Sequence, residues 1–174
     1  MTMSEELQCC SPGPDCYAGE SFALGDRKFN SISGVIKTAA GAVPVVSSVL
    51  SAGDIAGAWK VRWGIGRNNY KVNPGLYAVG APEHTSPVLV SANYKLTFDT
   101  LRKELSGLNC WLLVLDTRGI NVWCAAGKGT FGTAELIKRI SATGLSTVVS
   151  HRRLILPQLG APGVKSHEVT RHSG

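Results

Sequence analysis

Apolar residues in the second half of the chain gather in short runs separated by turn residues, a pattern that predicts alternating strands and helices. The run WLLVLD at 111–116 is apolar almost throughout, as expected of a strand covered on both faces in a parallel sheet. SPVLVS at 86–91 reads as a shorter strand of the same kind. Between the two, LTFDTLRKELSGL puts Phe98, Leu101, Leu105 and Leu108 on one face of a helix, with Thr97 placed to cap its start and Gly107 to close its end. Beyond Asp116 the turn TRGI leads into NVWCAAGK and the loop GTFG. A helix TAELIKRISATG follows, with Glu135 early and Lys138 and Arg139 late, as the helix dipole favours. Two further short strands are predicted at 146–149 and 154–156.

The first half is less regular. Glycines and Asn-Pro-Gly punctuate RWGIGRNNYKVNPGLYAVG at 62–80, which reads as strands joined by tight turns. Small and β-branched residues alternate over 35–61, predicting a buried strand or short helix followed by a turn at Gly53 and Asp54. Residues 1–30 are rich in Ser, Gly, Pro and Cys without periodicity and read as a flexible arm, leaving 31–174 as the folded domain. Strand, helix and strand in succession predict an α/β fold with a right-handed parallel layer. Ligands of such sheets collect at the carboxyl ends of the strands. On this reading ANYK (92–95), DTRGINVWCAAGK (116–128), SHRR (150–153) and PQLGAPG (157–163) converge on one edge.

Composition narrows the choice of partners. The 44% hydrophobic content fits a globular domain, and a formal charge of +6 leans mildly toward phosphates or an acidic partner. The basic residues are scattered apart from His151, Arg152 and Arg153, and aromatics are only 7%. The chain therefore has no basic, aromatic-studded strip for single-stranded nucleic acid, and nucleic acid is set aside. No apolar stretch reaches the roughly 20 residues of a membrane span; 39–50 is short and interrupted by Gly41 and Pro44. Five cysteines, an odd number, with no leader before them, point to a reducing cytoplasm. Cys9, Cys10 and Cys16 lack paired CxxC spacing and a fourth ligand, so they read as incidental thiols on the arm rather than a metal or iron–sulfur site.

Cys124 is the residue with the most chemistry to offer. Thiolate is a soft, strongly donating ligand, and the small neighbours Ala125, Ala126 and Gly127 let a large flat macrocycle carrying cobalt or iron come close. On spacing alone a buried free cysteine is the commoner reading. The segment GKGTFG at 127–132 matches GxGxxG formally, but it lies well past the strand and no acidic residue follows at ribose distance. Gly119 is also too far from Lys128 for a phosphate-binding GxxxxGK loop. A cysteine nucleophile would need His84, His151, His167 or His172, of which only His151 falls at a predicted strand end. Asp116 could orient such a base, or simply cap its turn.

Four segments, PGLYAVG (74–80), SPVLVSANYKLTFD (86–99), LVLDTRGINVWCAAGKGTFGT (113–133) and HRRLILPQLGAPGV (151–164), together resemble one corrinoid-binding domain. That domain is shared by the large subunit of the corrinoid iron–sulfur protein of the acetyl-CoA pathway and by mercury-methylating corrinoid proteins, and the resemblance covers roughly residues 60–172. It implies an α/β domain with a cap helix that holds a corrinoid in its base-off form. Cys124 would be the lower axial ligand of cobalt, and Asn121, Val122, Trp123, Ala125, Ala126, Gly127 and Lys128 the rest of the cap helix. Because a motif cysteine belongs to the mercury-methylating branch, the resemblance implies corrinoid-dependent methyl transfer to mercury(II). The alternative is a methyl carrier of acetyl-CoA or one-carbon metabolism. A thiolate trans to methyl pushes electron density through the metal and favours departure of methyl with its electrons.

The implied partners are a ferredoxin-like protein with two iron–sulfur clusters and a methyltetrahydrofolate-linked donor system. Full-length members of the mercury branch continue into an inner-membrane region. On that comparison this chain is the cytoplasmic domain, cut short near its last strand at the C-terminal end. A third reading, an α/β binding module without catalysis, predicts no corrinoid uptake.

Overall fold

The computed structural model describes residues 31–173, and the apolar run at the middle of its sheet has no exposed side chain. The strands are β1 (Ile32–Thr38), β2 (Gly41–Val46), β3 (Gly75–Val79), β4 (Val88–Ala92), β5 (Cys110–Leu115) and β6 (Leu154–Ile155). The helices are α1 (Ala52–Arg62), α2 (Lys95–Glu104), α3 (Val122–Gly127), α4 (Thr133–Ala142), α5 (Leu145–Val148) and α6 (Ser166–Ser173). Single 3-10 turns lie at Arg67–Asn69 and Ala161–Gly163. The predicted arm at 1–30, with Cys9, Cys10 and Cys16, lies outside the described residues.

The α/β class is as expected: one sheet in the order β1-β2-β3-β5-β4-β6, packed with helices. β5 shows how the sequence builds it. Its alternate residues Trp111, Leu113 and Leu115 face one core with Phe131, Leu136, Ile140, Leu145 and Val148, while Cys110, Leu112 and Val114 face a second core with Tyr77, Phe98 and Leu105. Period-two alternation thus serves two apolar faces, which is why the run reads as continuously hydrophobic. Burying each such leucine fully contributes roughly 1.5–3 kcal/mol. Burial also pushes the Cys110 thiol pKa up, making this cysteine an inert core residue.

The sheet is mostly but not wholly parallel. β2 pairs β3, β4 pairs β5 and β4 pairs β6 in parallel, whereas β1–β2 is an antiparallel hairpin and β3 runs antiparallel to β5. The expected parallel layer is thus present in β2–β3, β4–β5 and β4–β6, and the connection from Val79 to Val88 is too short for a crossover helix, so β3 runs against the β4–β5 direction.

Local readings need three corrections. Gly53 and Asp54 are not a turn but the first turn of α1, where Ser51 and Asp54 form a capping box: the Asp54 N–H donates to Ser51 Oγ and the Ser51 N–H to Asp54 Oδ2. Thr97 lies inside α2, whose start is at Tyr94; Phe98 and Leu105 are buried as expected, while Leu108 falls beyond the helix and is exposed. Residues 146–149 are not a strand. Gly144, at φ 58°, starts the short helix α5, and Leu145, Val148 and Val149 are buried at helical i, i+3, i+4 spacing. No helix among the described residues is long and apolar enough to cross a membrane.

Candidate functional site

Because β4 and β5 are parallel, ANYK and DTRGI meet at one edge, and Asn93 joins them. Its carboxamide is 1% exposed. Asn93 Oδ1 accepts the N–H groups of Thr117 (3.1 Å) and Gly119 (2.9 Å) and lies 2.9 Å from Thr117 Oγ1. Its Nδ2 donates to Asp116 Oδ1 at 3.0 Å. The Thr117 hydroxyl has a single proton, shared between Asn93 Oδ1 and the Ile120 carbonyl at 2.7 Å. Asp116 also accepts the Arg118 N–H, and its own N–H donates to Glu135 Oε1, which Arg139 clamps at 2.6 Å. The reversal at Arg118 (φ 59°) and Gly119 (φ 76°) is left-handed, a cost that an arginine bears only where surrounding bonds hold it.

That reversal delivers the chain into α3. Asn121 caps the helix, its Oδ1 accepting the Cys124 N–H at 2.9 Å. Val122, Ala125 and Ala126 pack on the core, so the helical period turns Trp123, Cys124, Gly127 and Lys128 to the other side. Trp123 is 69% exposed, Cys124 is half-buried, and a Cβ added at Gly127 would meet nothing within 4 Å. A thiol thus stands on an outward helix face beside open space and a glycine. Below it, PQLGAPG closes on α3 so tightly that a Cβ on Gly160 would lie 2.5 Å from Phe131 Cε1 and 2.9 Å from Val122 Cγ1. The residues of the predicted cap segment, Asn121 to Lys128, therefore form one short helix whose outer face carries Trp123, Cys124, Gly127 and Lys128. Open space at Gly127 beside a soft sulfur donor is compatible with the approach of a large flat ligand.

Three of the four predicted segments share this edge. SHRR does not. The register Val88↔Leu154 puts His151 before β6, at the amino ends of the parallel strands. There its Nε2 donates to the Ser86 carbonyl at 2.9 Å, while Nδ1 accepts the Arg153 N–H at 3.2 Å, so both ring nitrogens are engaged. Residues 146–149, taken as a strand, form helix α5 instead, and this shifts SHRR to the other edge. With His151 on the opposite edge and His84, His167 and His172 exposed, no histidine pairs with Cys124, and the cysteine-nucleophile reading fails. No group of three His, Cys, Asp or Glu among the described residues could hold a metal ion.

Sequence reasoning missed a buried ionic cluster between α1 and α2. Lys95 bridges Asp54 (2.6 Å) and Asp99 (2.5 Å), and Arg102, fully buried, bridges Asp54 (2.8 Å) and Asp99 (2.9 Å) while donating to the Ser47 and Val49 carbonyls. Burial alone would raise the Asp54 pKa. Hydrogen bonds from Lys95 and Ser51 outweigh it and hold the carboxyl well below the usual carboxylate range. Burial and then the charges of Asp99 and Asp54 push nearby Tyr70 up to about 12. The visible signals were the S-x-x-D box at Ser51 and the i, i+4 and i, i+3 spacing of Lys95, Asp99 and Arg102.

Comparison with known proteins places this geometry. The family model of the CO dehydrogenase/acetyl-CoA synthase delta subunit matches residues 65–171, covering β3 to α6. The chain is 41% identical over 97 residues to the acetyl-CoA decarbonylase/synthase complex subunit gamma of Methanocaldococcus jannaschii, covering 55% of this chain and 20% of that protein. It is 40% identical over 94 residues to the gamma subunit of Methanopyrus kandleri, with 52% and 20% covered. Over 99 residues it is 37% identical to gamma subunit 1 of Methanosarcina thermophila, with 55% and 21% covered. The matched part thus spans about a fifth of the length of these relatives.

Proposed function

This chain belongs to the CO dehydrogenase/acetyl-CoA synthase delta subunit family, and on that premise we propose that it is a corrinoid-binding methyl carrier of one-carbon metabolism. The single observation that carries the reading to particular residues is the outward face of α3, where Cys124 stands beside the open surface of Gly127 at the carboxyl edge of β4 and β5. A bound base-off corrinoid would supply a cobalt that accepts and releases methyl groups. The chain's own part is positional. Asn93 and Asn121 fix the approach and start of α3, Gly160 and Phe131 close the underside, and Trp123 and Lys128 flank the thiol on the outer face. Small residues beside Cys124 would let the group approach, and the Cys124 thiolate would be its soft sulfur donor to the metal.

This order reverses the ranking that the motif suggested, because the relatives named above are components of acetyl-CoA decarbonylase/synthase. Methyl transfer to mercury(II) is the second reading, favoured by one specific observation: the thiol faces outward rather than into the core. Mercury(II), an electrophile, would take the methyl group with its bonding electron pair, a path that a thiolate donor promotes. A ferredoxin-like reductant with two iron–sulfur clusters and a methyltetrahydrofolate-linked donor are the partners this scheme needs. Membrane anchoring of a longer protein belongs to the same reading.

Reconstitution with cobalamin tests both. Wild type is expected to retain corrinoid, and Cys124→Ala to retain it with a shifted visible spectrum. Coincident spectra would remove sulfur from the metal, and no retention by either protein would end the corrinoid reading. With donor and reductant supplied, methylmercury formation that collapses in Cys124→Ala favours the second reading. Methyl carriage without any methylmercury favours the first.

A further inference from the structure

Helix α1 lies outside the region matched by the family model, and its exposed side has an unusual makeup. The helix is anchored along one side only, by Asp54 in the ionic cluster, by Val61, and by Gly57, where an added Cβ would come within 2.6 Å of Tyr70 Oη. Opposite those anchors, at i, i+4 and i+8, stand Ile55, Trp59 and Trp63, exposed by 50%, 56% and 76%, and Ile65 follows at 60%. Large apolar side chains so exposed and so close together form a patch that water does not favour. Lys60 and Arg62 flank it on the helix and Arg67 and Lys71 follow in the chain, all exposed and none in an ion pair among the described residues. From Ile55 to Pro82 the sequence has no acidic residue at all.

We propose that this face of α1 docks on an anionic lipid surface, with Ile55, Trp59, Trp63 and Ile65 at the headgroup–acyl boundary and the four cations against the headgroups. Charge complementarity selects the occupant. A second copy of the chain would set four cations against four, and like-charge contact across an interface costs several kcal/mol. A protein partner would need a groove to receive a convex ridge of two indoles, whereas a lipid interface moulds to one. Neither Trp59 nor Trp63 donates its indole N–H to a protein acceptor among the described residues, and exposed tryptophan beside lysine and arginine is enriched where protein meets the membrane–water interface. The contact lies on the surface and does not span it, in keeping with the absence of a crossing helix among the described residues.

Cosedimentation of the full 174-residue chain with vesicles tests this, using phosphatidylcholine alone and phosphatidylcholine with added phosphatidylglycerol. Binding is expected only with phosphatidylglycerol and is expected to fall with salt. Each cation near such a surface changes partitioning roughly fivefold, so Lys60→Glu with Arg62→Glu should weaken binding by at least ~25-fold. Trp59→Ser with Trp63→Ser should abolish both binding and the blue shift of tryptophan emission. Circular dichroism checks that the variants keep their fold, since every changed side chain is exposed. The proposal is overturned by equal partitioning onto both vesicles, by binding that survives either double change, or by dimerisation through this face. A chain that binds polyglutamate but leaves both vesicles untouched would mark an acidic-protein site and overturn it equally.

Discussion

Buried ion pairs hold α2 in place, whereas a hub centred on one amide holds the approach to α3. Between α1 and α2, two aspartates and two cations share four ion pairs at 2.5–2.9 Å, and Arg102 has no exposed surface. Beneath α3, the hub is the amide of Asn93, taking backbone N–H groups from Thr117 and Gly119, followed by the carboxamide cap of Asn121. The two devices differ in what they impose on their surroundings. Buried ions hold only while every partner stays in place, since removing one leaves an uncompensated charge. The Asn93 hub instead fixes the chain through backbone N–H groups. The four-pair cluster lies on the side of the sheet away from the cysteine, whereas on the cysteine's side the Asn93 hub leans on Asp116 and on the Glu135–Arg139 pair.

The comparison breaks most sharply at Arg102. Arg102→Met leaves Asp54 and Asp99 to share Lys95 and strips the Ser47 and Val49 carbonyls of a donor. Removing one member of a buried ionic group typically costs about 3–5 kcal/mol, so a large drop in the urea midpoint is expected. A loss under ~1 kcal/mol would mean that the cluster is no more than a solvated pair. Acid should act on the same cluster. Because Asp54 is held below its ordinary value, its contribution is complete at neutral pH, begins to fade below about 4, where the unfolded carboxyl protonates, and goes on falling as pH drops through the folded value. Tyr70 works in the opposite sense: its raised pKa makes a contribution that is lost as pH rises from 10.0 toward 12. Equilibrium unfolding across pH reads both limbs, and Arg102→Met should flatten the acid one.

Asn93→Ala is the matching break on the other side. It orphans two backbone N–H groups and the turn they pin, at roughly 1–3 kcal/mol for each buried group left without a partner. Water reaching the emptied pocket would reduce the loss, so about 2–3 kcal/mol in total is expected. Hydrogen exchange should quicken first at Thr117 and Gly119, with the α1–α2 side unchanged. Exchange that quickens equally on both sides of the sheet would show that the two devices are not separate.

These two regions were also unequally legible in the sequence. The Asn93 edge followed from pattern: the apolar runs at 86–91 and 111–116 read as parallel strands, and once they were parallel ANYK and DTRGI had to meet. The cap segment was read from the family resemblance rather than from periodicity, because its apolar positions are too few to show a helical face, and the Asn121 cap emerged only with the fold. The ionic cluster was not, since Asp54 and Arg102 are 48 residues apart and only the fold brings them to 2.8 Å. Leu145 to Val149 was misread for a different reason: β-branched composition outweighed the i, i+3, i+4 spacing of its buried residues, with Gly144 as the overlooked start signal. That one error carried His151 to the wrong edge.

The smallest expected effects sharpen the comparison most. Asn121→Ala removes an N-cap and should cost about 1 kcal/mol, as caps usually do, loosening the first turn of α3 around Cys124. Cys124→Ala should leave stability within about 0.5 kcal/mol, because the side chain is half-buried, lies outside both apolar cores and, among the described residues, has no hydrogen bond at its sulfur to lose. A core cysteine behaves otherwise: Cys110, packed behind Tyr77 and Leu112, should lose more on the same change and resist thiol reagents in the native state. Urea unfolding and labelling of the two single-alanine variants therefore place each thiol independently of any cofactor. If Cys124→Ala proved as costly as Cys110→Ala, the sulfur would be part of the packing, and α3 would be a piece of core rather than a surface prepared for a ligand.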